Sequence, residues 1–172
     1  MLINNSLELQ NRANQALMTV VDNTIQIALD KLLDIIEQTV YSYGATWTNG
    51  QGGDFGRTHE FYDTWGKTKA RFTSSFFGSA VEASILQTLP LSYHEPFSHG
   101  SIVSGGAISK NDLSNIINEG LSESNLNFPA IEARPFWDEF ERWCDKNLIN
   151  IFTSECKRMG LNIGASATYS IG

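Results

Sequence analysis

Apolar positions recur at steps of three and four from Ser6 to about Tyr41, a stretch without glycine or proline. Ala13, Leu17, Val20, Thr24, Ala28, Leu32, Ile35 and Thr39 trace one helical face, and Val21, Ile25, Leu29 and Ile36 widen it. Asp22, Asp30, Asp34 and Glu37 stand mostly on the other side. The spacing predicts a helix over residues 6–41, with Gly44 as a left-handed cap. At about 1.5 Å per residue, some thirty residues extend about 45 Å, more than the diameter of a domain of this size. Such a helix either kinks or lends part of its length to a neighbouring subunit.

The pattern then changes. Thr46–Gly56 has four glycines in eleven residues and reads as a loop. Residues 61–108 read as a sheet region. Trp65 to Phe72 alternates, which predicts one strand with Lys67, Lys69 and Arg71 on one side and Thr68, Ala70 and Phe72 on the other. Thr73–Leu89 continues strand-like, with Gly78 at a turn or bulge. Leu91–Gly106 is a long loop with a short strand at Ser101–Ser104. Ser109 and Asp112 frame a short helix, with Leu113, Ile116 and Ile117 inward and Gly120 closing it.

The last helix, 135–159, is the best-punctuated element. Pro135 stands in its first turn, and Asp138 and Glu139 lie near its positive end. Lys157 and Arg158 occupy the last turn, and Gly160 caps it. Phe136, Phe140, Trp143, Cys144, Leu148, Ile151 and Phe152 form its expected buried face. Residues 164–172, small and polar, read as a flexible tail. The expected fold class is α+β: a long N-terminal helix, a central antiparallel sheet with a short helix, and a C-terminal helix packed on the sheet. One domain over residues 1–163 holds all of it.

Composition narrows the classes. The chain has 172 residues, 41% hydrophobic and 18% charged, too apolar for a disordered protein. No apolar run approaches the roughly 18 residues that span a bilayer, so no membrane partner is expected. The start, MLINNSLELQ, lacks a basic region followed by an apolar one, so no secretory signal is expected. Net charge is −7, and residues 1–64 carry 8 acids against 3 bases. A protein that grips phosphates needs a basic surface, which makes this chain a poor nucleic-acid binder. Acidity is compatible with DNA passing by without adhering.

Candidate chemistry is sparse. Cys144 and Cys156 share one helix, about 18 Å apart at 1.5 Å per residue, too far for a disulfide; both read as buried, reduced thiols. Gly66-Lys67-Thr68 lacks the glycine that a phosphate loop needs five residues earlier, because position 61 is Phe. His94 and His99, with Glu95 between them, are the candidates for a small metal-dependent or hydrolytic enzyme, without the ligand spacing of a zinc site. His59 is the remaining histidine. A regulatory or toxin-like binding protein is a third class. Lys67, Lys69 and Arg71 read either as the solvated face of a sheet or as a strip facing an acidic partner or DNA.

Two segments carry a resemblance. Arg57-Thr58-His59-Glu60-Phe61-Tyr62-Asp63-Thr64-Trp65 resembles the R-T-G-x-L-x-x-S pattern after the long N-terminal helix of small head–tail joining proteins of long-tailed bacteriophages, the gene-product-ten-like neck or tail-completion proteins. Ala133-Arg134-Pro135-Phe136-Trp137-Asp138-Glu139-Phe140 is similar to their A-R-P-F start of the terminal helix. Asn118-Glu119-Gly120-Leu121 and Ser92-Tyr93-His94-Glu95 are weaker echoes of their middle region. The sequence departs from the pattern at His59, where the family has glycine, and in a longer middle section. The order of the motifs covers about residues 10–160.

The resemblance implies a virion protein made in the host cytoplasm that assembles as a ring, hexamer or dodecamer, in the phage neck. It implies a portal-side connector or stopper protein on one side and a tail terminator or tail tube protein on the other. Double-stranded DNA would pass through the channel without sequence-specific binding. No catalysis and no cofactor are implied. The interface candidates are Lys67, Lys69, Arg71, Arg57, Arg134, Phe136 and Trp137.

Overall fold

The computed structural model describes residues 6–42, 60–75, 78–87, 110–119 and 133–162. The fold is α+β, with a long N-terminal helix, small antiparallel sheets and a C-terminal helix packed on them. Helix α1 runs Ser6–Ile36 and passes into a π-helical turn, Glu37–Tyr41. Then come a single turn α2 (Glu60–Asp63) and strands β1 (Trp65–Lys67), β2 (Arg71–Ser75), β3 (Gly78–Glu82) and β4 (Ile85–Gln87). Helix α3 covers Lys110–Glu119 and α4 covers Phe136–Arg158. β1 pairs with β4, and β2 with β3.

The chain divides into two compact units. The first comprises Met1–Lys31, Gly66–Leu86 and Glu141–Gly172; the second comprises Leu32–Trp65 and Gln87–Phe140. Buried in the first are Val20, Thr24, Ala28, Leu29, Cys144 and Cys156. Val20, Thr24 and Ala28 are spaced by four, as the α1 stripe predicts. In this unit Asn23 of α1 donates from Nδ2 to Glu155 Oε2 of α4 at 3.0 Å. Buried in the second are Leu32, Ile35, Ile36, Val40, Phe61, Thr64, Phe136 and Phe140. The stripe is not buried throughout: Ala13 is exposed and Leu17 half-buried, while Leu7 and Leu9 in the first turns are exposed.

The ends of α4 follow their punctuation. The Pro135 carbonyl accepts the first intrahelical bond, from Glu139 N–H at 3.1 Å. Gly160 takes a left-handed φ of 71°, where Leu161 N–H reaches Cys156 O and Gly160 N–H reaches Lys157 O. This pair of bonds is the Schellman motif, and glycine enters it without a Cβ penalty. Phe136, Phe140 and Cys144 are buried as expected, whereas Trp143, Leu148, Ile151 and Phe152 are only half-buried.

Three expectations are corrected. The helix at the end of α1 does not stay regular to Tyr41: Ser42 N–H bonds back five residues to Glu37 O. The sheet region expected from residue 61 starts later, because Glu60–Asp63 is a helical turn. The strand expected from Trp65 to Phe72 is broken at residues 68–70. The break has a cause in side-chain chemistry: Asp22 Oδ1 accepts the Ala70 N–H at 3.3 Å, and the Thr68 hydroxyl accepts the Ser84 N–H at 2.9 Å. Gly78 begins β3, at the last row of the hairpin, opposite Ser75. Gly44, the loop 46–56, Ser101–Ser104, Ser109, Gly120 and the tail 164–172 lie outside the described residues.

Candidate functional site

The two resembling segments meet in the second unit. Phe61 from α2, Trp65 from β1, and Phe136, Trp137 and Phe140 from α4 build one aromatic cluster. Phe61 and Phe136 meet edge to face with centroids 5.4 Å apart, and Phe61 and Trp65 do so at 5.9 Å. Trp65 and Trp137 stack at 5.8 Å with 23° between their planes. These are the offset and T-shaped geometries that the ring quadrupole favours. Phe136 is 1% exposed and sits within the cluster, whereas Trp65 and Trp137 are half-buried along its margin.

Polar contacts fix this cluster to its surroundings. Arg134 donates from Nη1 to the Val40 carbonyl in the π turn at 2.9 Å, and its own N–H reaches Ile117 O of α3 at 2.8 Å. Asn118 Oδ1 accepts the Trp137 N–H at 2.9 Å. It thereby caps an unpaired donor in the first turn of α4 from a different helix. Tyr41 Oη accepts the Tyr62 N–H at 3.2 Å, and burial pushes the Tyr41 phenol above its ordinary value. Gln87 Nε2 donates to Ser114 Oγ at 3.0 Å. Each of these contacts orients one element against another.

The first unit holds the three cations of the expected stripe. Lys67, Lys69 and Arg71 do not form a row on one strand. Lys67 ends β1 and binds Asp22 of α1, Nζ to Oδ1 at 2.6 Å, with its side chain only 16% exposed. That contact, ahead of the Ala70 N–H, holds the Asp22 carboxyl below its ordinary value against partial burial. Arg71 begins β2 and pairs with Glu82 of β3 at 2.7 Å. Lys69 lies between the strands, exposed, where Gln15, Met18, Thr19, Asp22 and Ala70 complete an open recess of ≈ 350 Å³.

The other candidates separate in the same way. Arg134 and Phe136 work inside the fold, and Trp137 retains partial exposure. Arg57 lies outside the described residues, as do His59, His94, Glu95 and His99. Among the described residues no three His, Cys, Asp or Glu are grouped as metal ligands, and no helix is long and apolar enough to cross a membrane. Cys144 and Cys156 are free and buried, and burial pushes the Cys144 thiol up to about 11. Comparison of the chain with protein-family models, curated proteins and solved structures finds no match. Sequence reasoning missed Asp22, Asn118 and Tyr41 as organising residues. An acid at the edge of an apolar stripe is the available signal for Asp22; Asn118 stands in one of the weaker resembling segments and Tyr41 at the expected helix end, but neither place tells of a hydrogen-bonding role.

Proposed function

We propose that the chain is a ring-forming structural subunit of a bacteriophage neck that joins the capsid portal to the tail and leaves a channel for DNA. One observation carries this reading. The two segments that resemble neck proteins are far apart in sequence, yet they contribute the rings of one aromatic cluster, with Arg134 tied to the turn that ends α1. Motifs that pack together in this way are parts of one scaffold, so their shared order reports architecture.

The chemistry of the described residues suits a scaffold. Its polar contacts orient backbone, and its thiols are buried. An acidic chain with net charge −7 gives phosphates little to hold, as a DNA conduit requires. The ring would contact a connector or stopper protein on the portal side and a terminator or tube protein on the tail side. The test is a search for this chain in purified particles. Its presence in a ring-sized copy number, and separate heads and tails when its gene is disrupted, is the expected result. Intact, infectious particles that lack the chain would overturn the reading.

A further inference from the structure

β2 and β3 form a two-stranded antiparallel sheet of five paired rows, and among the described residues neither strand joins a third. A hairpin of two strands is only marginally stable in water and gains from further pairing. Most of this ribbon is uncovered. Arg71, Phe72, Ser74, Ser79, Ala80 and Glu82 are exposed, and Phe72 keeps 39% of its surface. Natural sheets blunt such edges with charges or proline. Residues 72–81, FTSSFFGSAV, contain neither. The only charges on the two strands are in the first row, Arg71 opposite Glu82.

We propose that this ribbon joins copies of the chain, β3 of one copy adding antiparallel to β2 of the next. The inference rests on the ring reading and names the edge that closes it. In-register addition continues each row across the boundary. Glu82 of one copy then lies beside Arg71 of the next, Val81 beside Phe72, Ala80 beside Thr73 and Ser79 beside Ser74. Arginine and glutamate alternate along the first row, and no like charges meet. A two-fold pairing of β2 with a second β2 sends the two arginines to opposite ends and gives neither a carboxylate. Charge complementarity therefore selects a second copy in a head-to-tail arrangement, which closes into a ring when the rotation closes.

Mixed cysteine variants of the full chain test this. Thr73→Cys and Ala80→Cys are prepared separately, one of them tagged, then mixed and mildly oxidised. Neighbours across an antiparallel ladder have Cα atoms about 4.5–5.5 Å apart, within disulfide range. The native Cys144 and Cys156 are buried. Circular dichroism confirms folding, and a mixture of Ser74→Cys with Ser79→Cys repeats the test on the opposite face of the ribbon. The expected result is a disulfide-linked pair in each mixture, mapped to positions 73 and 80 or 74 and 79, and absent from every single variant. Links between like positions in a single variant would overturn the arrangement. An oligomer by native mass with no such link in either mixture would overturn the ribbon contact and leave the ring reading standing. A chain that stays monomeric and unlinked would also overturn the ribbon contact, while the search of particles decides the ring reading independently.

Discussion

Replacing Phe136 by alanine removes a ring that touches three others. Phe136 is 1% exposed, with the Phe61 ring at 5.4 Å and the Trp65 and Trp137 rings at 6.2 Å. Truncating a buried phenylalanine costs roughly 3–5 kcal/mol through lost transfer energy and the cavity left behind. Aromatic pairs add about 0.5–1.5 kcal/mol each beyond area, so the upper part of that range applies here. Against a total stability of about 5–15 kcal/mol for a typical domain, this is a large share. Phe136→Leu keeps part of the volume but loses all three ring contacts, so it should lose at least about 1.5 kcal/mol and less than the alanine variant. Trp143→Ala should cost less than Phe136→Ala although tryptophan is larger, because Trp143 is only half-buried. Urea unfolding followed by tryptophan fluorescence and far-UV circular dichroism measures all three. A Phe136→Ala loss below about 1 kcal/mol, with an unchanged denaturant slope, would refute the cluster as a source of stability.

Other consequences are as direct. Asn118→Ala removes the acceptor for the Trp137 N–H, and with it the longer Nδ2 contact to Asp138 at 3.4 Å, and should cost about 1 kcal/mol; urea midpoints decide. The Asp22 carboxyl is depressed in the folded chain, so its contribution is present above the ordinary carboxylate value and is lost as pH falls through its folded value. Asp22→Asn should therefore lower stability at neutral pH, and the gap from the native chain should close in acid; a gap that persists in acid counts against the Lys67 contact. Cys144, pushed up to about 11, should resist alkylation at pH 8 in the folded chain and react promptly in urea, as mass spectrometry of the labelled peptides would show.

The legible parts of the fold are those written locally. Pro135 and Gly160 bracket α4 because each acts through its own backbone, and the α1 stripe repeats often enough to be read without knowing what it packs against. The strand break at 68–70 was not legible. Its alternation is sound, and the group that interrupts it is Asp22, on another element. In the π turn the Val40 carbonyl and the Tyr41 hydroxyl meet partners at positions 134 and 62, which the local pattern does not announce. Of the candidate site, the place of Arg134 beside a helix start was legible, but its partner, the Val40 carbonyl, lies on another element and was not. The scatter of Lys67, Lys69 and Arg71 follows only from the acids that meet two of them.

Arg134 binds an oxygen that every amino acid supplies. The Val40 carbonyl would be present whatever side chain stood at that position, so the contact constrains one residue and not two. A substitution at position 40 is tested by how its side chain fits the interior, and a substitution at 134 by whether a guanidinium can still reach. Drift at the two sites is therefore uncoupled. In a set of descendants, this tether would tie position 134 to no particular side chain at position 40, and methods that infer proximity from paired substitutions would pass over that contact.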